Sequence, residues 1–419
     1  MNLKATSFKS GLILAFLTLV LTIFDAWLTL PIVWPKTLSA LFGVLLAIWW
    51  VAHGVKFKIR KGAEQWLVLL LVSVTLIEVI RFVSAGSISV AYFFQWFQIL
   101  VFLYILLQLS QDPRSFRYFW LALLIVSLLM LSLSSFGILR AEIGGLARSG
   151  FSGVNLNRQA YWYCLATLFF QWALIERFGK AKVFEVIGIT AVVAILIFAI
   201  FRTASRGAFG SFLAGSATLM VLQFRGRNLG AYVQILPVFL LLLAFALVSN
   251  EILLSRIQGT FEQTEDMSRN EIWDAAVELF KENPIIGFGP AFQTEIGIRT
   301  GLREISTHQT LLQLLVSYGI IGFLIFFALV LSILKRLWRI RRSPLGNLYL
   351  SVFAATFVFA LVSDLMFNRF FSVVLVLSAT APCHSRFFGN GLPGIWTFLF
   401  KGAGREKPTQ IFRREFRVR

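Results

Sequence analysis

Twelve runs of apolar residues, each near the length of a membrane-crossing helix, fill most of this chain. About 20 such residues carry an α-helix through the hydrocarbon of a bilayer. The runs fall at roughly 11–33, 37–55, 66–84, 89–110, 118–138, 159–176, 183–201, 207–224, 229–249, 309–334, 347–367 and 370–388. Backbone groups inside lipid have no water to bond, so a chain of this pattern must satisfy them within helices. The expected fold is all-α: a polytopic membrane protein of about twelve transmembrane helices with a helical periplasmic loop between spans 9 and 10. Composition agrees. Of the 419 residues, 58% are hydrophobic and only 14% charged, whereas soluble domains carry about 25% charged residues. A soluble enzyme of this makeup could not cover its surface, and a disordered chain needs low hydrophobicity.

The formal charge of +19 comes from 39 Lys and Arg against 20 Asp and Glu. In a soluble chain that balance would raise nucleic-acid binding. Here the basic residues occupy short loops between apolar runs, where their meaning is topological, because basic loops stay cytoplasmic. With the N-terminus inside, 26 of the 39 fall on cytoplasmic segments, including Lys56, Lys58, Arg60 and Lys61 and the run Lys335, Arg336, Arg339, Arg341 and Arg342. Both termini are therefore expected in the cytoplasm. Lys4 and Lys9 precede an apolar stretch from Gly11 to Trp34 that is longer than a secretory signal and has no small-residue cleavage site. It reads as a retained first helix. The two cysteines, Cys164 and Cys383, have neither disulfide context nor metal-ligand spacing. Pro382, Cys383 and His384 are expected to interrupt the end of the last span.

These patterns divide the chain into spans 1–9 over 1–249, a periplasmic lid loop with an amphipathic helix over 250–308, spans 10–12 over 309–388, and a basic cytoplasmic tail over 389–419. The long loop holds ten of the 20 acidic residues. Within it Ser268-Arg269-Asn270-Glu271 reads as a capping box opening a helix. Ile272, Ala275, Ala276, Leu279 and Phe280 make one apolar stripe at helical spacing. Asn283-Pro284 ends that helix, and Gly287-Phe288-Gly289-Pro290 forms a turn. Thr307 is placed to cap the next helix, with His308 in its first turn.

Polar residues gather at four outward-facing helix ends: 150–158, 202–206, 268–273 and 307–309. Taken singly, Arg202 and Arg206 read as snorkelling interfacial residues, Arg269 as an ion-pair partner and His308 as an interfacial histidine. Together they suggest a site for a large anionic substrate. Arginine binds phosphate oxygens in bidentate fashion and keeps its charge, and helix N-termini add N–H donors. A histidine in such a field stays neutral and able to accept a proton. No metal constellation, Walker pattern or Rossmann pattern accompanies them, so positive side chains must do the electrostatic work. Asp25, Glu78, Arg81 and Arg369 read as interfacial. Asp364 is placed either to orient His308 or to neutralise an arginine.

Several of these pieces, in order, resemble the bacterial O-antigen ligase and polymerase family, membrane glycosyltransferases that use undecaprenyl-diphosphate-linked sugars. They are Arg202-Thr203-Ala204-Ser205-Arg206-Gly207-Ala208, then Arg269-Asn270-Glu271-Ile272-Trp273, then the turn from Asn283 to Pro290. Thr307-His308-Gln309-Thr310-Leu311 follows, leading to Tyr318-Gly319-Ile320-Ile321-Gly322. Gly150-Phe151 through Asn155 and Asn157 is similar to the family's Asn-rich stretch before a span. The similarity covers roughly 150–335 and the twelve-span layout. Family members usually carry Asn after the motif histidine, where this chain has Gln309, which keeps the amide.

The resemblance implies that Arg206 and Arg269 hold the donor diphosphate and stabilise the leaving group, and that His308 deprotonates the acceptor hydroxyl. It also implies substrate contacts from Arg202, Gln309 and Asn157, an inverting reaction, and no cofactor or metal. The partners it implies are an undecaprenyl-diphosphate-linked glycan donor, a lipid A-core acceptor and membrane lipids, with no nucleic acid. Its setting is the bacterial inner membrane, with the site facing the periplasm. Transfer of a polysaccharide to lipid A-core is the first reading, because one long outer loop late in the chain has no further soluble domain. A polymerase and a protein O-oligosaccharyltransferase need the same site. A twelve-span transporter or flippase is the rival from another class. Against it stand the missing half-to-half similarity and the gathering of charge at one surface.

Overall fold

The computed structural model of the protein describes residues 5–21, 38–53, 62–85, 90–112, 114–135, 140–143, 146–151, 155–177, 181–224, 267–289, 292–301, 306–365 and 369–388. The apolar run at 229–249, Asp25, the loop segment 250–266 and the tail 389–419 lie outside the described residues. Among the described residues, eleven of the twelve apolar runs fall wholly or in part on helices. In chain order these are α1 (Ala5–Val20), α2 (Leu38–Ala52), α3 (Ala63–Ala85), α4 (Val90–Leu109), α5 (Arg114–Ser135), α6 (Leu156–Arg177), α7 (Val183–Arg202) and α8 (Arg206–Phe224). Two shorter elements, α9 (Met267–Glu282) and α10 (Phe292–Thr300), precede α11 (Thr310–Arg339), α12 (Pro344–Ala360) and α13 (Arg369–Phe388). One departure from an all-helical reading is an antiparallel hairpin of β1 (Arg140–Ile143) and β2 (Leu146–Phe151) between α5 and α6.

Four helical stretches among the described residues are long and apolar enough to cross a membrane: Ala63–Ile80, Arg114–Ser135, Val183–Arg202 and Thr310–Arg339. Shorter apolar helices accompany them at Lys9–Val20, Ser39–Ala52, Phe97–Leu109 and Pro344–Ala360. The outer faces of α3 and α7 expose Val72, Leu76, Val79, Ile187, Ile195 and Phe198. A contiguous apolar face of this kind suits lipid rather than water. The protein is membrane-embedded.

Helix α6 forms the centre of the bundle, buried along nearly its whole length from Leu156 to Ile175. Tyr161 stacks on Phe359 of α12 at 4.8 Å, and its hydroxyl bonds the Thr356 hydroxyl at 2.8 Å. Trp120 of α5 stacks on Phe169 at 4.5 Å. Helices α8 and α12 approach closely because small residues line the contact, the packing favoured where no hydrophobic drive separates helix from lipid. A Cβ on Gly215 would come within 2.6 Å of Leu168 Cδ1 and 3.0 Å of Ala355 Cβ. The Ser351 hydroxyl donates to the Gly215 carbonyl at 2.7 Å. Ser343 caps α12 by accepting from the Gly346 N–H at 3.0 Å, with Pro344 in the first turn.

Helix α13 runs through Pro382 to Phe388, correcting the expected interruption. His384 is fully buried in its last turns, its Nε2 2.9 Å from the Ser110 carbonyl and its Nδ1 2.9 Å from the Tyr349 hydroxyl. The carbonyl can only accept, so Nε2 carries the hydrogen and Nδ1 accepts from Tyr349. At the same end of the bundle Glu64 of α3 accepts from the amides of Gln108 and Gln111. These two bonds tie the last turns of α13 to α12 and to the residue that follows α4.

Candidate active site

The opposite end of the bundle carries the residues singled out from sequence. There α6, α8 and α11 begin, α7 and α12 end, and α9 lies alongside. His308 immediately precedes α11 with a positive φ of 51°. The expected arrangement, Thr307 capping and His308 in the first turn, is corrected: Gln309 is the N-cap, in extended conformation, with no side-chain capping bond. Thr307 instead donates from Oγ1 to the Gln309 carbonyl at 2.9 Å and accepts the Gln309 N–H at 3.4 Å. This local turn swings His308 out of the helical path. The Ser306 hydroxyl accepts the His308 N–H at 3.4 Å and lies 3.3 Å from His308 Nδ1.

The turn is pinned from two sides. Trp273 of α9 donates from Nε1 to the Thr307 carbonyl at 2.9 Å. On the other side the Thr310 hydroxyl donates to the Ser363 carbonyl at 2.7 Å and accepts the Leu365 N–H at 3.0 Å. Those two bonds tie the head of α11 to the turn that carries Asp364. Asp364 is buried, and its Oδ2 lies 3.9 Å from Nη2 of Arg158, in the first turn of α6. Of the two roles weighed for Asp364, this geometry supports neutralising an arginine.

Helix α9 begins at Met267, so Ser268 lies inside its first turn and the capping-box reading is corrected. Its apolar stripe is buried as the spacing predicts. Ile272, Ala275, Ala276 and Leu279 pack with Phe292 and Ile296 of α10 and Val316 of α11 in a small cluster separate from the main core. Beyond the far end of α9, backbone hydrogen bonds add to this side-chain packing against α11. Gly319 breaks the α11 helix with φ 59° and ψ −165°, and the 284–288 turn docks into the break. Phe288 N–H donates to the Val316 carbonyl at 2.7 Å, and Ile320 N–H donates to the Pro284 carbonyl at 2.8 Å. A Cβ on Gly287 would lie 2.6 Å from the Gly319 nitrogen, and one on Gly319 would strike the Ile285 carbonyl. This clasp fixes the chain leaving α9 against the middle of α11.

Burial first, then the charges of Arg269 and Arg158, hold the His308 imidazole below its ordinary value. Two cations from separate parts of the chain thus act on one ring. The sequence alone does not single out Arg158, although it closes the polar 150–158 stretch. Its signal was position: a basic residue in the first turn of a helix whose N-cap, Asn155, accepts the Asn157 N–H at 2.9 Å. Asn157 therefore shares the helix end that presents Arg158.

Arg206 opens α8 on a neighbouring turn. Gly207 presses that turn against the Asp364 segment, since a Cβ there would come within 2.7 Å of Val362 Cγ2. Between Arg202 and Arg206 the chain reverses through Ala204 at φ 48°, and the Ser205 hydroxyl accepts the Ala208 N–H at 3.4 Å. Arg202 is turned elsewhere. Its guanidinium donates to the Ser135 hydroxyl of α5 at 3.3 Å and lies over the Phe198 ring at 5.9 Å. Among the described residues no cluster of three or more metal-ligating side chains occurs.

A membrane-embedded helical bundle that brings a half-buried histidine and arginines from separate helices to one end defines the class: an integral membrane protein with a cationic cluster at one end. Residues 191–327 match the family model described as O-antigen ligase. That segment carries the O-antigen ligase family's domain, as the motif resemblance implied. It spans α7 to the middle of α11 and includes Arg202, Arg206, Arg269 and His308, whereas Arg158 and Asp364 lie outside it. No individual curated protein matches the chain.

Proposed function

We propose that this protein is an O-antigen ligase: a metal-independent, inverting glycosyltransferase of the bacterial inner membrane. It transfers a polysaccharide from undecaprenyl diphosphate to the lipid A-core oligosaccharide at the periplasmic face. The observation that carries the reading is the His308 ring, kept neutral by burial and by Arg269 and Arg158, and held on a left-handed turn at the head of α11. A neutral imidazole takes the proton from the acceptor hydroxyl as that oxygen attacks the anomeric carbon. For Nε2 to act, Nδ1 must carry the ring hydrogen and donate it to the Ser306 hydroxyl, which lies 3.3 Å away. The bond from the anomeric carbon to the diphosphate oxygen breaks as the new glycosidic bond forms. Arg269 and Arg206 hold the diphosphate and offset its growing charge, and Arg158 adds a third guanidinium braced by Asp364. Asn157 and Gln309 line the same end as substrate contacts. Arg202, engaged with Ser135, anchors the end of α7 beside them. Helices α9 and α10 form a lid over the head of α11, consistent with their separate apolar cluster.

The test uses purified protein, a lipid-linked glycan and rough lipopolysaccharide in the presence of a chelator. Wild type transfers glycan, while Arg206→Ala, Arg269→Ala and His308→Ala remain folded and lose transfer. Full activity in His308→Ala would falsify the general-base assignment. A deletion strain separates ligation from polymerisation. Long lipid-linked chains left unattached support the ligase, and single repeats attached to the core support a polymerase.

A further inference from the structure

Gln313 is fully buried in α11, yet neither its Oε1 nor its Nε2 has a hydrogen-bond partner. Among the described residues it is the one buried side-chain amide with both atoms unpaired. Ser317, one turn further along, is also fully buried with an unpaired hydroxyl. Native interiors satisfy nearly all such groups, so an amide unpaired at both ends marks a place where something else supplies the bonds.

The position is specific. Gln313 N–H donates to the Gln309 carbonyl, which puts Gln313 one helical turn inward from the residue that follows His308. Thr310, Gln313 and Ser317 fall on one side of α11 by helical spacing. Leu312 and Val316 on the adjoining side lie under the α9–α10 cluster. Thr310 on the other edge is bonded to Ser363, next to Asp364. The unpaired groups thus continue inward from the His308 and Asp364 turns.

Their chemistry selects the ligand. A phosphate oxygen only accepts, so it would satisfy Nε2 and leave Oε1 unpaired. A sugar hydroxyl both donates and accepts, as does an acetamido substituent, and adjacent groups on one ring can answer Oε1, Nε2 and the Ser317 hydroxyl together. We infer that Gln313 and Ser317 form a sugar-binding step of the site, recognising hydroxyl or acetamido groups of a ring placed beside His308 beneath α9 and α10. They are specificity-determining contacts, distinct from the arginines that face the diphosphate. The inference rests on the glycan-transfer reading of the same site.

The experiment measures melting temperature and affinity of full-length wild type, Gln313→Leu and Ser317→Ala. Each is measured with three probes: a polyprenyl-diphosphate-linked glycan, polyprenyl diphosphate without sugar, and rough lipopolysaccharide. Leucine is close in size and has no unpaired polar atom, so unliganded Gln313→Leu melts at or above the wild-type temperature. Its affinity for one sugar-bearing probe falls at least tenfold and the corresponding ligand-induced rise in melting temperature disappears. Binding of the sugarless diphosphate stays at the wild-type level. The probe that loses affinity identifies the ring as donor or acceptor. Should Gln313→Leu fail to fold, Gln313→Met and Ser317→Ala read the same quantities. Unchanged affinity for both sugar-bearing probes overturns the inference, as does equal loss on the sugarless diphosphate or a wild type that responds to neither glycan. A parallel transfer assay keeps the two readings apart. Gln313-dependent sugar binding without transfer sinks the ligase reading alone, and transfer with an unchanged KM in Gln313→Leu sinks this inference alone.

Discussion

His308 holds a left-handed backbone conformation that a side chain with a Cβ adopts at a cost of about 1–3 kcal/mol. Such a residue persists where its surroundings over-determine it, here through the bonds of Thr307, Thr310 and Trp273. The same surroundings lower its proton affinity. In the folded state the ring charges at a lower pH than in the unfolded chain, whose ordinary value is 6.5. The unfolded chain therefore binds more protons in that interval, and folding stability rises with pH. The contribution is fully present above pH 6.5 and is lost as pH falls through the folded-state value. Transfer activity is expected to show an acid limb below the ordinary histidine range. Arg158→Gln removes one of the positive charges that lower the ring's proton affinity, so it moves that limb to higher pH. A pH–rate profile of the two proteins checks this, and an unmoved limb contradicts the electrostatic account.

Between elements, the decisive contact is backbone against backbone where the 284–288 turn enters the α11 break. Gly319→Ala adds a Cβ facing the Ile285 carbonyl and asks alanine to take a positive-φ, extended-ψ conformation that is essentially reserved to glycine and costs about 1–3 kcal/mol. Overpacking adds about 1–3 kcal/mol. The variant is expected to melt several degrees lower and to lose transfer, because α9 no longer presents Arg269 to His308. Wild-type activity in a stably folded Gly319→Ala protein argues that the clasp is not what positions α9. Thr310→Val makes the complementary cut. It preserves shape but leaves the Leu365 N–H without its acceptor and the Ser363 carbonyl without its donor, a loss of about 1–3 kcal/mol. Its melting temperature drops, and its kcat falls with the loosening of the His308 turn. Equal melting temperatures for Thr310→Val and wild type count against this bracing.

At the scale of the whole molecule, the proposed orientation places the start of α9 outside and the basic end of α11 inside. Asn270 and Arg341 are both near helix ends, and Asn270 is exposed. A cysteine-free background is accessible because neither Cys164 nor Cys383 is held in a disulfide. In intact spheroplasts a membrane-impermeant maleimide is expected to label Asn270→Cys, and to label Arg341→Cys only after permeabilisation. The reverse pattern inverts the topology and moves His308 to the cytoplasmic face.

Hydropathy alone determined that the chain is a membrane helical bundle, since lipid offers the backbone no other partner and run length sets helix length. Residue types and order likewise marked Arg206, Arg269 and His308 as a group, because only certain side chains can hold a diphosphate and move a proton. What the order could not carry was conformation that depends on partners far along the chain. Thr307 resembles an ordinary cap until Trp273 and the Ser363 turn are in place to pull His308 off the helix axis. Nothing near Arg158 announces Asp364, which lies 206 positions away and meets it at 3.9 Å. The break at Gly319 is readable only beside the Pro284 turn that fills it, since a helix interior surrenders its hydrogen bonds when another backbone is there to take them. Tertiary packing alone decided which cations act on the imidazole, because they come from helices far apart in the chain.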